Sequence, residues 1–166
     1  MLPFFHIKNA SINDAKLIRT MALEIWPKAY AHILTAEQLT YMLDLMYTEE
    51  ALQQQMQQGH RFLIVYDDIE PVGFAAYSEI EPRVYKLHKL YVLPSQQGKG
   101  TGKFLIEYII SDIKTNDAAT LRLNVNRHNT AKIFYEKLGF EVIASEDVDI
   151  GNGFFMNDYV MEKKMV

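Results

Sequence analysis

The strongest chemical signal in this chain is the segment Leu90-Tyr91-Val92-Leu93-Pro94-Ser95-Gln96-Gln97-Gly98-Lys99-Gly100-Thr101-Gly102-Lys103, in which a predicted strand runs into three glycines spaced by two and then into a predicted helix. Glycines lack a Cβ, so successive backbone N–H groups can converge on one concavity. The positive end of the following helix adds attraction for anions, and Lys99 and Lys103 supply further charge. A diphosphate suits such a seat. The P-loop pattern fails, because Gln97 stands where its first glycine belongs and Lys103 is followed by Phe104. The dinucleotide fingerprint fails as well, because Lys103 stands at its third glycine and the turn comes late in the chain. At this level a glycine-rich surface loop without a ligand stays open beside the phosphate reading.

The elements that must position this turn can be read from apolar spacing. Phe4–Lys8 reads as a strand, and Asn13 or Ser11 caps a helix over Ala15–Ile25, where Ile18, Met21, Ala22 and Ile25 recur at helical intervals. Pro27 closes or kinks that helix. Thr35 with Gln38 forms a capping-box signature for a second helix to about Met46, and Thr48-Glu49-Glu50 opens a third that ends at Gly59. Arg61–Tyr66 and Val72–Ile80 form a hairpin, Tyr85–Leu93 is a strand ended by Pro94, and Phe104–Ile113 fits a helix. Thr120–Val125 is a strand, Thr130–Leu138 a helix stopped by Gly139, and strands lie near Glu141–Ile150 and Phe154–Lys163. The order β-ααα-βββ-α-β-α-ββ predicts an α/β fold with a mixed sheet, and the length suits one domain over residues 1–166.

Composition removes several classes of function. The chain has no cysteine, which excludes a disulfide framework, a thiolate metal site and a cysteine nucleophile. His6, His32, His60 and His128 show no metal spacing, so no metal is expected. No apolar run is long enough to span a bilayer, and Met1-Leu2-Pro3-Phe4-Phe5-His6 has no basic start or cleavage site, so neither a membrane nor a signal peptide is expected and a cytoplasmic protein is. The net charge is −4 and no Lys or Arg run could track a phosphate backbone, so nucleic acid is not an expected partner. A mildly acidic surface suits a cationic substrate such as an amine.

Gln97-Gly98-Lys99-Gly100-Thr101-Gly102 resembles motif A of the GNAT N-acetyltransferase superfamily, Gln/Arg-x-x-Gly-x-Gly/Ala. The strand Leu87-His88-Lys89-Leu90-Tyr91-Val92 resembles the family's fourth strand. Asn129-Thr130-Ala131-Lys132-Ile133-Phe134-Tyr135-Glu136-Lys137-Leu138-Gly139-Phe140 resembles motif B. The resemblance covers about Arg61 to Val160. It implies the acyl-CoA N-acyltransferase fold, a mostly antiparallel sheet flanked by helices, with acetyl-CoA as donor and CoA as product. It further implies that Leu90, Tyr91 and Val92 meet the pantetheine arm along a strand edge opened by a bulge. Gln97, Gly98, Lys99, Gly100, Thr101, Gly102 and Lys103 would surround the pyrophosphate, with Asn129 and Lys132 on the arm or the adenosine side. Homodimers are common in the family.

Acetyl transfer to an amine needs a neutral nitrogen, an aligned carbonyl and a proton for the leaving thiolate. No Gly-x-Ser-x-Gly elbow occurs, so direct attack is preferred to a covalent acyl-enzyme. Tyr135 occupies the motif B position whose phenol acts as general acid in many members, and Phe134 beside it is read as the core aromatic. His88 is the first candidate base: it alternates with Leu87 and Lys89, which puts it on the face of Leu90 and Val92, and imidazole titrates near neutrality. The same segment looks like that of arylalkylamine-acetylating members. Glu79 and Glu81 are rival bases. For the acceptor, Trp26, Pro27, Tyr30, His32 and Ile33 would line a pocket, with Glu79 at its side, and core packing is the competing reading of the aromatics. The region Trp26–Leu52 and the tail Gly153–Met161 loosely resemble spermidine/spermine acetyltransferases of the PaiA type, which makes a polyamine the favoured acceptor and gives Glu24, Asp44, Glu49 and Glu50 an attracting role. A protein N-terminus, an arylalkylamine and an amino acid are the alternative acceptors. An acyl-CoA sensor without catalysis is the alternative function.

Overall fold

A computed structural model describes residues 2–166; Met1, the first residue of the stretch read as lacking a leader, lies outside the described residues. Both faces of the sheet are covered, and its inner strands show why. In β2 (Arg61–Asp67), Leu63 and Val65 face one core while Phe62 and Ile64 face the other. A strand buried on both sides must be a continuous apolar run, and Phe62-Leu63-Ile64-Val65 is one. The seven strands are arranged in the order β1-β2-β3-β4-β5-β7-β6, with β1 (Phe5–Asn9), β3 (Glu70–Glu81), β4 (Val84–Val92), β5 (Thr120–Asn126), β6 (Glu141–Gly151) and β7 (Phe154–Lys164). Every pairing is antiparallel except β4 with β5.

Helices α1 (Ala15–Ala29), α2 (Ala36–Met46) and α3 (Glu49–Gln57) cover one face; α4 (Thr101–Thr115) and α5 (Ala131–Lys137) cover the other. Local chemistry sets their starts. The hydroxyls of Thr35 and Thr48 accept from the amides of Gln38 and Ala51 at 3.1 and 3.0 Å, satisfying donors that a helix start leaves free. Only half of the Thr35 capping box forms, because the Gln38 amide group donates instead to the carbonyl of Phe155 at 2.8 Å and ties α2 to β7. Before α1, Ser11 precedes a short 3₁₀ turn whose Asp14 carboxylate accepts the Ser11 amide at 2.8 Å, so Ser11 rather than Asn13 marks the entry.

Pro27 does not close α1. The helix runs through it to Ala29, and the Tyr30 amide still bonds the Trp26 carbonyl at 3.0 Å. The missing N–H costs little so near the end, where one turn remains.

The feature that matters most for function is the divergence of β4 from β5. Their parallel ladder joins Val84–Leu87 to Thr120–Leu123 and stops there. The cause lies on the other side of β4, where Ala76 pairs with Lys89 but Tyr77 pairs with Leu87, so His88 is an extra residue. One unpaired residue bends a strand and re-aims the residues beyond it. Past this bulge β4 is held by β3 alone, closely enough that a Cβ on Gly73 would lie 2.8 Å from the Tyr91 carbonyl oxygen and 3.1 Å from Val65 Cγ1. Gly73→Ala should therefore lower stability in chemical denaturation by about 1–3 kcal/mol, through overpacking; a change within experimental error would show that β4 can shift freely.

Candidate functional site

The glycine turn lies at the open end of the β4–β5 gap. Gly98 and Gly100 both have φ of +80°, a left-handed conformation that L side chains rarely adopt, and a Cβ at either would meet nothing within 4 Å. These glycines are needed for backbone shape alone. Gly102 differs: its Cβ position lies 3.5–3.8 Å from Phe134, Leu90 and Val92, so it sits where α4, β4 and α5 come together. Thr101 is buried, its hydroxyl 3.3 Å from the side-chain oxygen of buried Gln96, which fixes the start of α4. The Phe104 amide bonds the Gly100 carbonyl; among the described residues, no acceptor takes the amides of Gly98, Gly100, Thr101, Gly102 or Lys103. Five free donors at a helix start form a seat for a diphosphate. Gln97 and Lys99 are exposed beside it. Lys103 is exposed too, with Glu107 at 3.9 Å; Lys132 leans on Glu136 at 3.6 Å and over the Tyr159 ring.

On the α4–α5 side, Leu90 and Val92 flank Gly102. His88 does not share their face. The bulge places it with Lys89 toward α3, its Nε2 2.7 Å from Ser78 Oγ and its ring stacked on His60 at 4.0 Å. Simple alternation fails here because two residues oppose one on β3. Burial, then His60, Lys86 and Lys89, push the His88 imidazole down to about 3. Lys89 itself is buried over the Tyr47 ring at 5.1 Å, and desolvation pushes it down to about 8.

Tyr135, not Phe134, is the core aromatic. It is 7% exposed and packs edge-on against Phe140 and Phe134, while Phe134 is half-buried at the Gly102 contact. Burial raises the Tyr135 phenol well above its ordinary value, with nearby Tyr30 adding to the effect, so it stays protonated. Tyr30 reaches the gap from the end of α1. Its hydroxyl lies 2.9 Å from that of Tyr91, beside Asn129, and within the field of Asp158. Asn129 also has a local task, its side-chain oxygen accepting the Ala131 amide at 2.9 Å at the start of α5. Trp26 is buried core: it backs Tyr30 and Tyr91 at ring distances of 4.7 and 5.6 Å and does not line the opening. Glu79 is exposed at the closed end of β4, where its carboxylate accepts the Arg83 amide at 3.2 Å, and it does not join the tyrosines.

Sequence reasoning missed two members of this group, Asn124 and Asp158, which share a hydrogen bond at 3.3 Å. A signal was present. The inward positions of β7 are Phe154, Met156, Asp158 and Val160, an apolar stripe interrupted by one carboxylate.

Free amides at a helix start, a split in the sheet and a buried phenol are features that suit a protein handling an acyl-CoA. The profile described as "Acetyltransferase (GNAT) domain" matches residues 31–163, and the chain belongs to that family. It resembles the spermidine N(1)-acetyltransferase of Thermoplasma acidophilum, with 29% identity over 164 residues, 95% of this chain and 96% of that protein. The [ribosomal protein bS18]-alanine N-acetyltransferase of Haemophilus influenzae is 32% identical over 100 residues, which span 59% of this chain and 64% of the relative. Among solved structures, PaiA N-acetyltransferase from Thermoplasma acidophilum in complex with coenzyme A superposes with a TM-score of 0.82 at 29% identity, over 97% of this chain and 99% of that one. The protein is an N-acetyltransferase with acetyl-CoA as donor.

His88 gives the site an acid-sensitive support. The unfolded chain titrates this imidazole near 6.5 and the folded chain near 3, so between these values the unfolded state binds more protons and stability falls as pH drops. His88→Gln should reduce the loss of Tm between pH 7 and pH 5 relative to the wild type. An unchanged loss would remove His88 from this role.

Proposed function

We propose that the protein acetylates a primary amine of a polyamine by direct attack within a ternary complex. The observation that carries this reading is the buried, protonated Tyr135 at the inner end of a gap whose other end holds free backbone amides. Acetyl-CoA supplies an activated acetyl thioester when bound. In this reading the amides of Gly98, Gly100, Thr101, Gly102 and Lys103 hold the pyrophosphate, aided by Gln97, Lys99 and Lys132. The free edge of β4 at Leu90, Tyr91 and Val92 aligns the pantetheine arm, with Asn129 beside it. Fixing both reactants in one geometry supplies much of the acceleration. Tyr135 gives its phenolic proton to the departing sulfur, a task open to a protonated hydroxyl.

A second feature, outside the gap, also favours a cationic acceptor. A groove of about 530 Å³ between α2 and the β6–β7 turn is lined by Glu37, Asp44, Tyr41 and Phe154. Two carboxylates beside two aromatic rings suit ammonium groups joined by methylenes. The near full-length similarity to a spermidine acetyltransferase points the same way.

Release of CoA should be measured against spermidine, spermine, an arylalkylamine and a peptide with an N-terminal alanine. The expected result is the highest kcat/KM with a polyamine. Turnover confined to the peptide or the arylamine would overturn the acceptor assignment, and coenzyme binding without release for any amine would make the protein a sensor. In the same assay Tyr135→Phe should lower kcat by about 10²-fold or more with coenzyme affinity unchanged; wild-type turnover would remove Tyr135 as the acid.

A further inference from the structure

Asp158 is a carboxylate in a position that does not favour one. It is 2% exposed on the inward face of β7, opposite Asn126 of β5, beyond the point where β4 has left the sheet. Its Oδ2 accepts from Asn124 at 3.3 Å, and its Oδ1 has no partner among the described residues. Buried carboxylate oxygens are normally paired, so an unpaired one within the field of Tyr30 requires a reason.

Each neighbouring element contributes a group. From α1 comes the Tyr30 hydroxyl, and from β4 comes Lys86, the one lysine whose charge acts on Asp158. From β6 comes Glu146, the cross-strand partner of Asp158, which shares Asn124 with it. Arg127, after β5, spends its guanidinium on the backbone carbonyls of Asp158 and Glu146, at 3.3 and 2.8 Å, and on the Asp147 carboxylate. The cations of the protein thus leave Oδ1 without a hydrogen-bond partner.

We propose that Asp158 is the base of the transfer reaction, its Oδ1 receiving the acceptor ammonium and taking one proton from it; this rests on the acetyl-transfer reading above. The amine nitrogen then bonds to the acetyl carbonyl carbon as the carbon–sulfur bond breaks. Tyr135 gives its proton to the sulfur and recovers the second proton of the nitrogen, and Asp158 passes the first to solvent. Burial raises the affinity of Asp158 for protons, as a base acting near neutrality requires. His88, pushed down to about 3 and stacked on His60, is less basic.

The test uses the full chain, with spermidine as probe, in wild type, Asp158→Asn and His88→Ala. Asp158→Asn should lower kcat/KM by about 10²-fold or more and abolish the acidic limb of the pH profile, while His88→Ala keeps that limb. Calorimetry on the enzyme–CoA complex should show spermidine binding at least tenfold weaker in Asp158→Asn, with CoA affinity unchanged. In the unmutated enzyme the limb should hardly move with temperature, because carboxylate ionisation carries little enthalpy; an imidazole or amine limb shifts. If the wild type turns over spermidine while Asp158→Asn keeps its rate and limb, or the wild-type limb shifts as an imidazole's does, the assignment of Asp158 is overturned and acetyl transfer stands. A wild type that acetylates no amine overturns the reading beneath it.

Discussion

Two parallel strands share a ladder from Val84 to Leu87 and then separate. Everything functional in this molecule depends on that separation. A sheet that closed between β4 and β5 would pair both backbone edges internally and leave no room for a ligand. The extra residue at His88 prevents closure by bending β4 away while β3 holds its other side. The gap therefore has a strand edge along one wall, the start of α4 at its mouth and tyrosine hydroxyls at its inner end.

A buried polar atom left unsatisfied costs about 1–3 kcal/mol; Asp158 Oδ1 is of that kind, whereas the free turn amides face outward, where water can satisfy them. They mark where binding energy can be collected. In the proposed reading the amides suit anionic phosphates and the carboxylate suits a cation, so the two substrates meet groups of opposite charge. Tyr30, Tyr91 and Tyr135 at the inner end are neutral phenols, and burial raises their hold on the proton further.

The sequence displayed the order of elements because each has a local cause: threonine caps at 35 and 48, glycines ending helices at 59 and 139, and a doubly buried strand at 62–65. The turn at 97–103 was legible for the same reason, since left-handed glycines and a helix start are local events. Misread features depended on distant residues. His88 was expected on the face of Leu90, but a bulge is defined by counting residues on the partner strand, which alternation within one strand cannot reveal. Trp26 was expected among the acceptor-lining aromatics and is core, and Phe134 was expected to be the core aromatic yet is less buried than Tyr135, because burial depends on which helix face meets the split rather than on residue type. Pro27 sits one turn before a helix end that has no marker of its own. Asp158 lies in a strand whose local pattern gives a lone carboxylate no partner, and its meaning emerges only once β5 and β7 bring it beside Asn124.

The central claim is that the backbone around the glycine turn and the freed edge of β4 together seat the coenzyme. Amide chemical shifts followed during a CoA titration test it most directly. The account predicts that Gly98, Gly100, Thr101, Gly102 and Lys103 move together with Leu90–Val92, along one saturating curve, while β1 and α3 stay still. Saturable binding that leaves the turn amides unmoved, or that perturbs another face of the protein instead, would contradict it.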